Sequence, residues 1–220
     1  MAKSIKKLLS LVMAVIMVLS LIPAVYADEE VTEPPAAPAY TTNAAGWVEI
    51  ETGSQLNKWF YNKGDGQDYI LVNATEAITA KLVLTADIKQ NVTASVGSSG
   101  SDIEHNIILD LNGHTITATH ASRIFALYKG SLTIMNSKDE GGLIGTGASN
   151  TGVVGSMLYA AYGSTLNLVN VNITLTENTF PNKGGGVIGG NEGATINIID
   201  SVLDGGNTGH STTGGVLHIE

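Results

Sequence analysis

Gly130-Ser131-Leu132-Thr133-Ile134-Met135-Asn136 is the stretch that decides the fold, because the chain writes it three times. It returns as Ser164-Thr165-Leu166-Asn167-Leu168-Val169-Asn170, and again as Ala194-Thr195-Ile196-Asn197-Ile198-Ile199-Asp200. From Leu132 to Leu166 is 34 positions, and from Leu166 to Ile196 is 30. A period near thirty means one supersecondary unit stacked on copies of itself. Inside each copy, apolar and polar residues alternate as in a half-buried strand. Leu132 and Ile134 are therefore expected inside, Thr133 outside and Asn136 at a corner.

Working outward, Ile124, Leu158, Ile188 and Leu217 align at spacings of 34, 30 and 29. Leu132, Leu166 and Ile196 follow the first three by eight residues. Each unit then holds at least two short strands joined by a turn, with Gly130, Gly163 and Gly193 at the corners. One such unit cannot fold alone, because its few inward aliphatics do not offset the entropy of ordering some thirty residues. Stacking merges the small cores into one column. The period-two pattern begins upstream at Leu82-Val83-Leu84 and Ile107-Ile108-Leu109-Asp110-Leu111. Residues 82–220 thus read as an all-β solenoid of coils of about thirty residues.

Residues 47–81 read as an N-terminal cap. Trp47-Val48-Glu49-Ile50-Glu51 alternates, and Ser54 is expected to cap a short helix with Leu56, Trp59 and Phe60 on one face. A repeat array needs such a cap, since its first coil otherwise exposes an apolar end. At the other end, Gly214 to Glu220 opens a coil without its second strand. The expectation is a C-terminally truncated array that continues in the natural protein.

Residues 1–27 read as a secretory signal: Lys3, Lys6 and Lys7, an apolar run from Leu8 to Ile22, and Val25-Tyr26-Ala27 before acidic Asp28. The run is short for a membrane span. Residues 28–46 read as a Pro/Ala-rich linker. The chain carries 11 basic and 20 acidic residues; losing three lysines with the signal leaves 8 against 20, a net charge of −12. So acidic a chain excludes nucleic acid and anionic lipid as expected partners. Cysteine is absent, so packing and hydrogen bonds alone must hold an exported fold.

Leu84-Thr85-Ala86-Asp87-Ile88, Ile108-Leu109-Asp110-Leu111-Asn112-Gly113-His114-Thr115-Ile116 and the Gly-Ser/Ala-Thr-Leu/Ile phrases carry a resemblance. They resemble the right-handed parallel β-helix of pectate-lyase-like proteins. More narrowly, they are similar to the β-helical surface proteins secreted by Gram-positive gut bacteria. The resemblance covers about 82–220, with 47–81 similar to the N-terminal cap. It implies a secreted or cell-surface location. It does not imply an activity, since a fold hosts many functions.

The catalytic inventory is thin. Enzymes of the resembled group use acidic calcium ligands and a basic residue, usually Arg. Arg123, the chain's one arginine, is expected in the column of Met157, Val187 and Val216. Asn112-Gly113-His114 is a fragment of a glycoside-hydrolase pattern, and no carboxylate pair stands out for acid/base hydrolysis. Asn136, Asn170 and Asp200 read as a structural ladder bonding turn backbone. The histidines share no zinc spacing. Asn62, Asp65 and Asp68 read as a solvated turn rather than a calcium loop. No cofactor is expected, with calcium needed only if the chain is an enzyme.

The outward columns offer more. Side-chain alternation is expected to place Phe125 and Tyr159 outside on successive coils, with His218 further along. Tyr128 and Tyr162 stack near the corner. Asp110, Thr133, Asn167 and Asn197 form a polar outward row. Aromatic faces beside hydroxyls and amides suit sugars. The reading is a non-catalytic, adhesin-like or glycan-binding surface protein, whose partner is a polysaccharide or a host or cell-surface glycan. The alternatives are a polysaccharide lyase or glycoside hydrolase with its site beyond Glu220, and a passive structural stalk.

Overall fold

A computed structural model describes residues 40–60, 69–98, 100–146, 157–176, 186–191, 193–205 and 216–219. The expected signal, the expected linker up to residue 39 and the expected turn at residues 62–68 lie outside the described residues.

From Thr79 the chain cycles through three parallel sheets, giving one strand to each per coil. The first stacks β3 (Thr79–Leu84), β6 (Asn106–Asp110), β9 (Ser131–Met135), β12 (Thr165–Val169) and β15 (Thr195–Ile199). The second stacks β4 (Ile88–Gln90), β7 (Thr115–Ala118), β10 (Gly142–Gly145), β13 (Asn172–Leu175) and β16 (Val202–Asp204). The third stacks β5 (Ala94–Val96), β8 (Phe125–Leu127), β11 (Leu158–Ala160), β14 (Ile188–Gly190) and β17 (Leu217–Ile219). The result is a parallel β-solenoid of about 4 turns with coils of ~30 residues. Among the described residues no helix is long and apolar enough to cross a membrane.

The repeated phrase is the first sheet. Leu132 pairs with Leu166 and Leu166 with Ile196. Leu132, Ile134, Leu166 and Leu168 are fully buried in the shared column. Gly130, Gly163 and Gly193 do turn the corners, at φ of 76°, 74° and 77°. At Gly130 no side chain fits, because a Cβ would collide with the backbone of His105.

One residue of register differs from the sequence reading. Leu158 pairs with Phe125, not with Ile124. The cause is corner length. Leu158 and Ile188 precede Leu166 and Ile196 by eight residues, but Phe125 precedes Leu132 by seven. The extra residue in the longer corner is at Ser164, fully buried, whose hydroxyl accepts from the Ala161 amide at 3.1 Å. The tighter Tyr128-Lys129-Gly130 corner lacks it. Phe125 therefore points into the core, 0 % exposed.

The N-terminal side begins earlier than Trp47. β1 (Thr41–Thr42) pairs antiparallel with β2 (Val48–Ile50), and β2 joins the first sheet in parallel with β3. Helix α1 (Gly53–Phe60) buries Leu56, Trp59 and Phe60, the expected face. Its cap is Thr52 rather than Ser54: the Thr52 hydroxyl accepts from the Gln55 amide at 3.2 Å, and Gln55 Oε1 accepts from the Thr52 amide at 3.0 Å. This reciprocal capping box satisfies donors that the first turn leaves orphaned. Phe60 meets Phe125 edge to face, with centroids 5.7 Å apart. The misassigned phenylalanine is thus where the helix locks onto the solenoid.

Candidate functional site

Register sorts the outward side chains into rows. On the third sheet, Ser95, Ala126, Tyr159 and Gly189 share one row, which position 218 of β17 continues in backbone register. Small residues flank Tyr159 on both sides, so its ring lies down on the sheet against Ala126 and Ala161. Only 8 % of Tyr159 remains exposed. Its hydroxyl donates to Asn191 Oδ1 at 2.8 Å. Burial raises the pKa of this phenol, outweighing Asn191 and Arg123, which lower it.

Tyr128 stands on the adjoining corner, edge-on to Tyr159 at 6.0 Å. Tyr162 follows at 6.2 Å from Tyr128, its ring tilted by 33°. Tyr162 is 39 % exposed and has φ +53°, a left-handed conformation rare for a bulky residue. Tyr128 and Tyr162, expected to stack near the corner, stand side by side, and Tyr159 meets Tyr128; Phe125, expected outside beside Tyr159, is inside instead.

Arg123 completes the patch. The one-residue shift puts Ile124 in the column of Met157 and Val187, all fully buried. Arg123 is therefore outside that column. Its guanidinium carbon lies 4.1 Å over the centroid of Tyr159, a cation–π contact. Burial lowers its pKa, partly opposed by Tyr128 and Tyr159. His120 holds the same loop, with Nδ1 3.2 Å from the Gln90 carbonyl and Nε2 3.1 Å from that of Arg123.

At the Ser95 end of the row lies a small cavity of about 80 Å³ lined by Leu71, Val72, Ser98, Ser101, Ile103 and His105, among others. Two strand spacings, roughly 10 Å, separate Ser95 from Tyr159. Inside the cavity wall, His105 Nδ1 accepts from the Ile78 amide at 3.1 Å. Burial lowers the His105 pKa, with the Leu71 backbone opposing. Sequence reading missed this cavity, since segments 69–78 and 97–105 carry no period to read.

The outward row on the first sheet is Ile108, Thr133, Asn167 and Asn197, polar from Thr133 onward. Asn167 Nδ2 donates to Thr133 Oγ1 at 3.1 Å, and Asn197 Nδ2 to Asn167 Oδ1 at 2.8 Å. Asp110 pairs instead with Met135. It is buried under the next corner, where its Oδ1 accepts the amides of Asn112 at 2.8 Å and Ser137 at 3.0 Å. At the same edge, Asn170 Nδ2 donates to the Asn136 carbonyl at 2.9 Å. Asn170 and Asp200 take φ of 55° and 48°, which their short corners require.

The fold defines a three-sided parallel β-solenoid with an aromatic–cationic patch on one outer face. Comparison of the chain with family models, curated proteins and solved structures finds no match. Among the described residues no three His, Asp or Glu side chains group closely enough to hold a metal ion.

Proposed function

We propose that this chain is an exported, non-catalytic carbohydrate-binding solenoid, acting at the cell surface or in the surrounding matrix. Its binding face is the outer surface of the third sheet around Tyr128, Tyr159 and Tyr162. The observation that carries the reading is Tyr162: a bulky, exposed ring held at φ +53° beside a second ring. Strain of this kind at the surface is maintained where it serves a site. Flat aromatic faces supply apolar contact for a sugar ring, while the Asn191 amide and Arg123 supply oriented hydrogen bonds. The leader-like residues 1–27 support export.

A polysaccharide panel that includes Gram-positive cell-wall glycans and host mucin glycans tests this. Tyr162→Ala and Tyr128→Ala are each expected to weaken retention about tenfold, as loss of one stacking contact implies, with Tyr162→Phe near wild type. Binding to no glycan in the panel, or undiminished binding by both alanine variants, rejects the proposal.

A further inference from the structure

The corner between β6 and β7 carries Asn112-Gly113, at φ 50° and 84°. Asn followed by Gly is chemically fragile, because glycine presents no side chain to hinder attack by its own amide nitrogen. That nitrogen adds to the Asn112 side-chain carbonyl carbon, the C–Nδ2 bond breaks and ammonia leaves. Water then opens the five-membered imide to aspartate or to isoaspartate. Nothing but water is consumed.

Both reacting groups are tied down. The Gly113 amide donates to Asn136 Oδ1 at 2.8 Å. The Asn112 amide Nδ2 donates across the coils to the Leu84 carbonyl at 3.0 Å. Asn136 is itself immobilised: 4 % exposed, it donates from Nδ2 to the Glu140 carbonyl at 2.7 Å. Asp110 Oδ1 fixes the Asn112 backbone from the other side. Attack needs the nitrogen free and aligned on the carbon, and the hydrogen bond to Asn136 denies both.

We propose that Asn112-Gly113 is a latent self-modification site, kept closed by Asn136 on the following coil. Isoaspartate at this position adds a backbone atom to a corner of fixed length. Aspartate replaces the Asn112 Nδ2 donor to the Leu84 carbonyl with a charge near the buried Asp110. Either product unlocks β6 from β7, so the corner converts loss of the Asn136 hydrogen bond that closes it into a permanent chemical mark. The inference is independent of glycan binding.

The test follows ammonia loss at Asn112 by peptide mass mapping during prolonged incubation at mildly alkaline pH. Native wild type is expected to react far more slowly than the same protein in denaturant. Asn136→Ala is expected to react about tenfold faster than native wild type, from loss of one buried hydrogen bond. Leu166→Ala, a core change that leaves the corner bonds intact, is expected to react at the native rate. A wild-type rate for Asn136→Ala, or an equal acceleration in Leu166→Ala, overturns the proposal. Hydrogen exchange on wild type provides a test that needs no variant: the Gly113 amide is expected to be protected, and exchange at the free-peptide rate is equally fatal.

Discussion

Phe125 and Tyr162 are both aromatic residues at the edge of a corner, and their environments set opposite roles for them. Phe125 is fully buried against Phe60. Its truncation to Ala is expected to cost about 3–5 kcal/mol in urea denaturation. Tyr162→Ala is expected to change stability by about 0.5 kcal/mol or less, so a loss of binding there reports on the face alone. His105 makes a pH-dependent contribution. Burial depresses its pKa, so the folded state favours the neutral ring that accepts from the Ile78 amide. The associated stability is full above the unfolded value of about 6.5 and is lost as pH falls through that value toward the folded one. A melting-temperature series from neutral to mildly acidic pH is expected to fall less steeply in His105→Gln. Of the proposed patch, Tyr128, Tyr159 and Tyr162 were legible in the sequence from their alternation and spacing. Phe125 was not, because alternation says which residues share a face but not which strand residue opens that face.

Elements here are short, and each relies on its ends. The strands of the third sheet have three residues apiece, so their corners decide how they stack. The capping box of α1 illustrates the same dependence. Thr52→Ala is expected to cost about 1 kcal/mol, read by thermal melting. Gly53→Ala is expected to cost more, because a methyl there meets the carbonyl of Lys89 on β4. That ordering reverses the usual preference for Ala over Gly inside a helix, and it is therefore diagnostic of helix docking. The apolar face of α1 was readable from Leu56, Trp59 and Phe60. The cap was not, since Thr52 and Ser54 are both acceptable caps and only the backbone path selects between them.

At the scale of the molecule, each coil touches only its neighbours, so stability is a sum of local interfaces. Amide exchange is expected to be slower in β9 and β12, which have partners on both sides, than in β15, β16 and β17, each at the edge of its sheet. At that end Ile198, Ile199, Val202, Leu217 and Ile219 are exposed, beside strand edges that invite pairing.

The repeat determined by itself that this is a stacked parallel solenoid, that Leu132, Leu166 and Ile196 form one column, and that glycines turn its corners. Those properties are periodic, and period is visible in one dimension. The tertiary structure decided the register of Phe125, the burial of Asp110 beneath the next corner, the place of Arg123 on Tyr159 and the hold of Asn136 on Gly113. Each depends on how many residues a corner spends before the next strand begins. That length is set by which coil can close against its neighbour without a collision or an unpaired buried amide, a condition that exists only once the neighbour is in place.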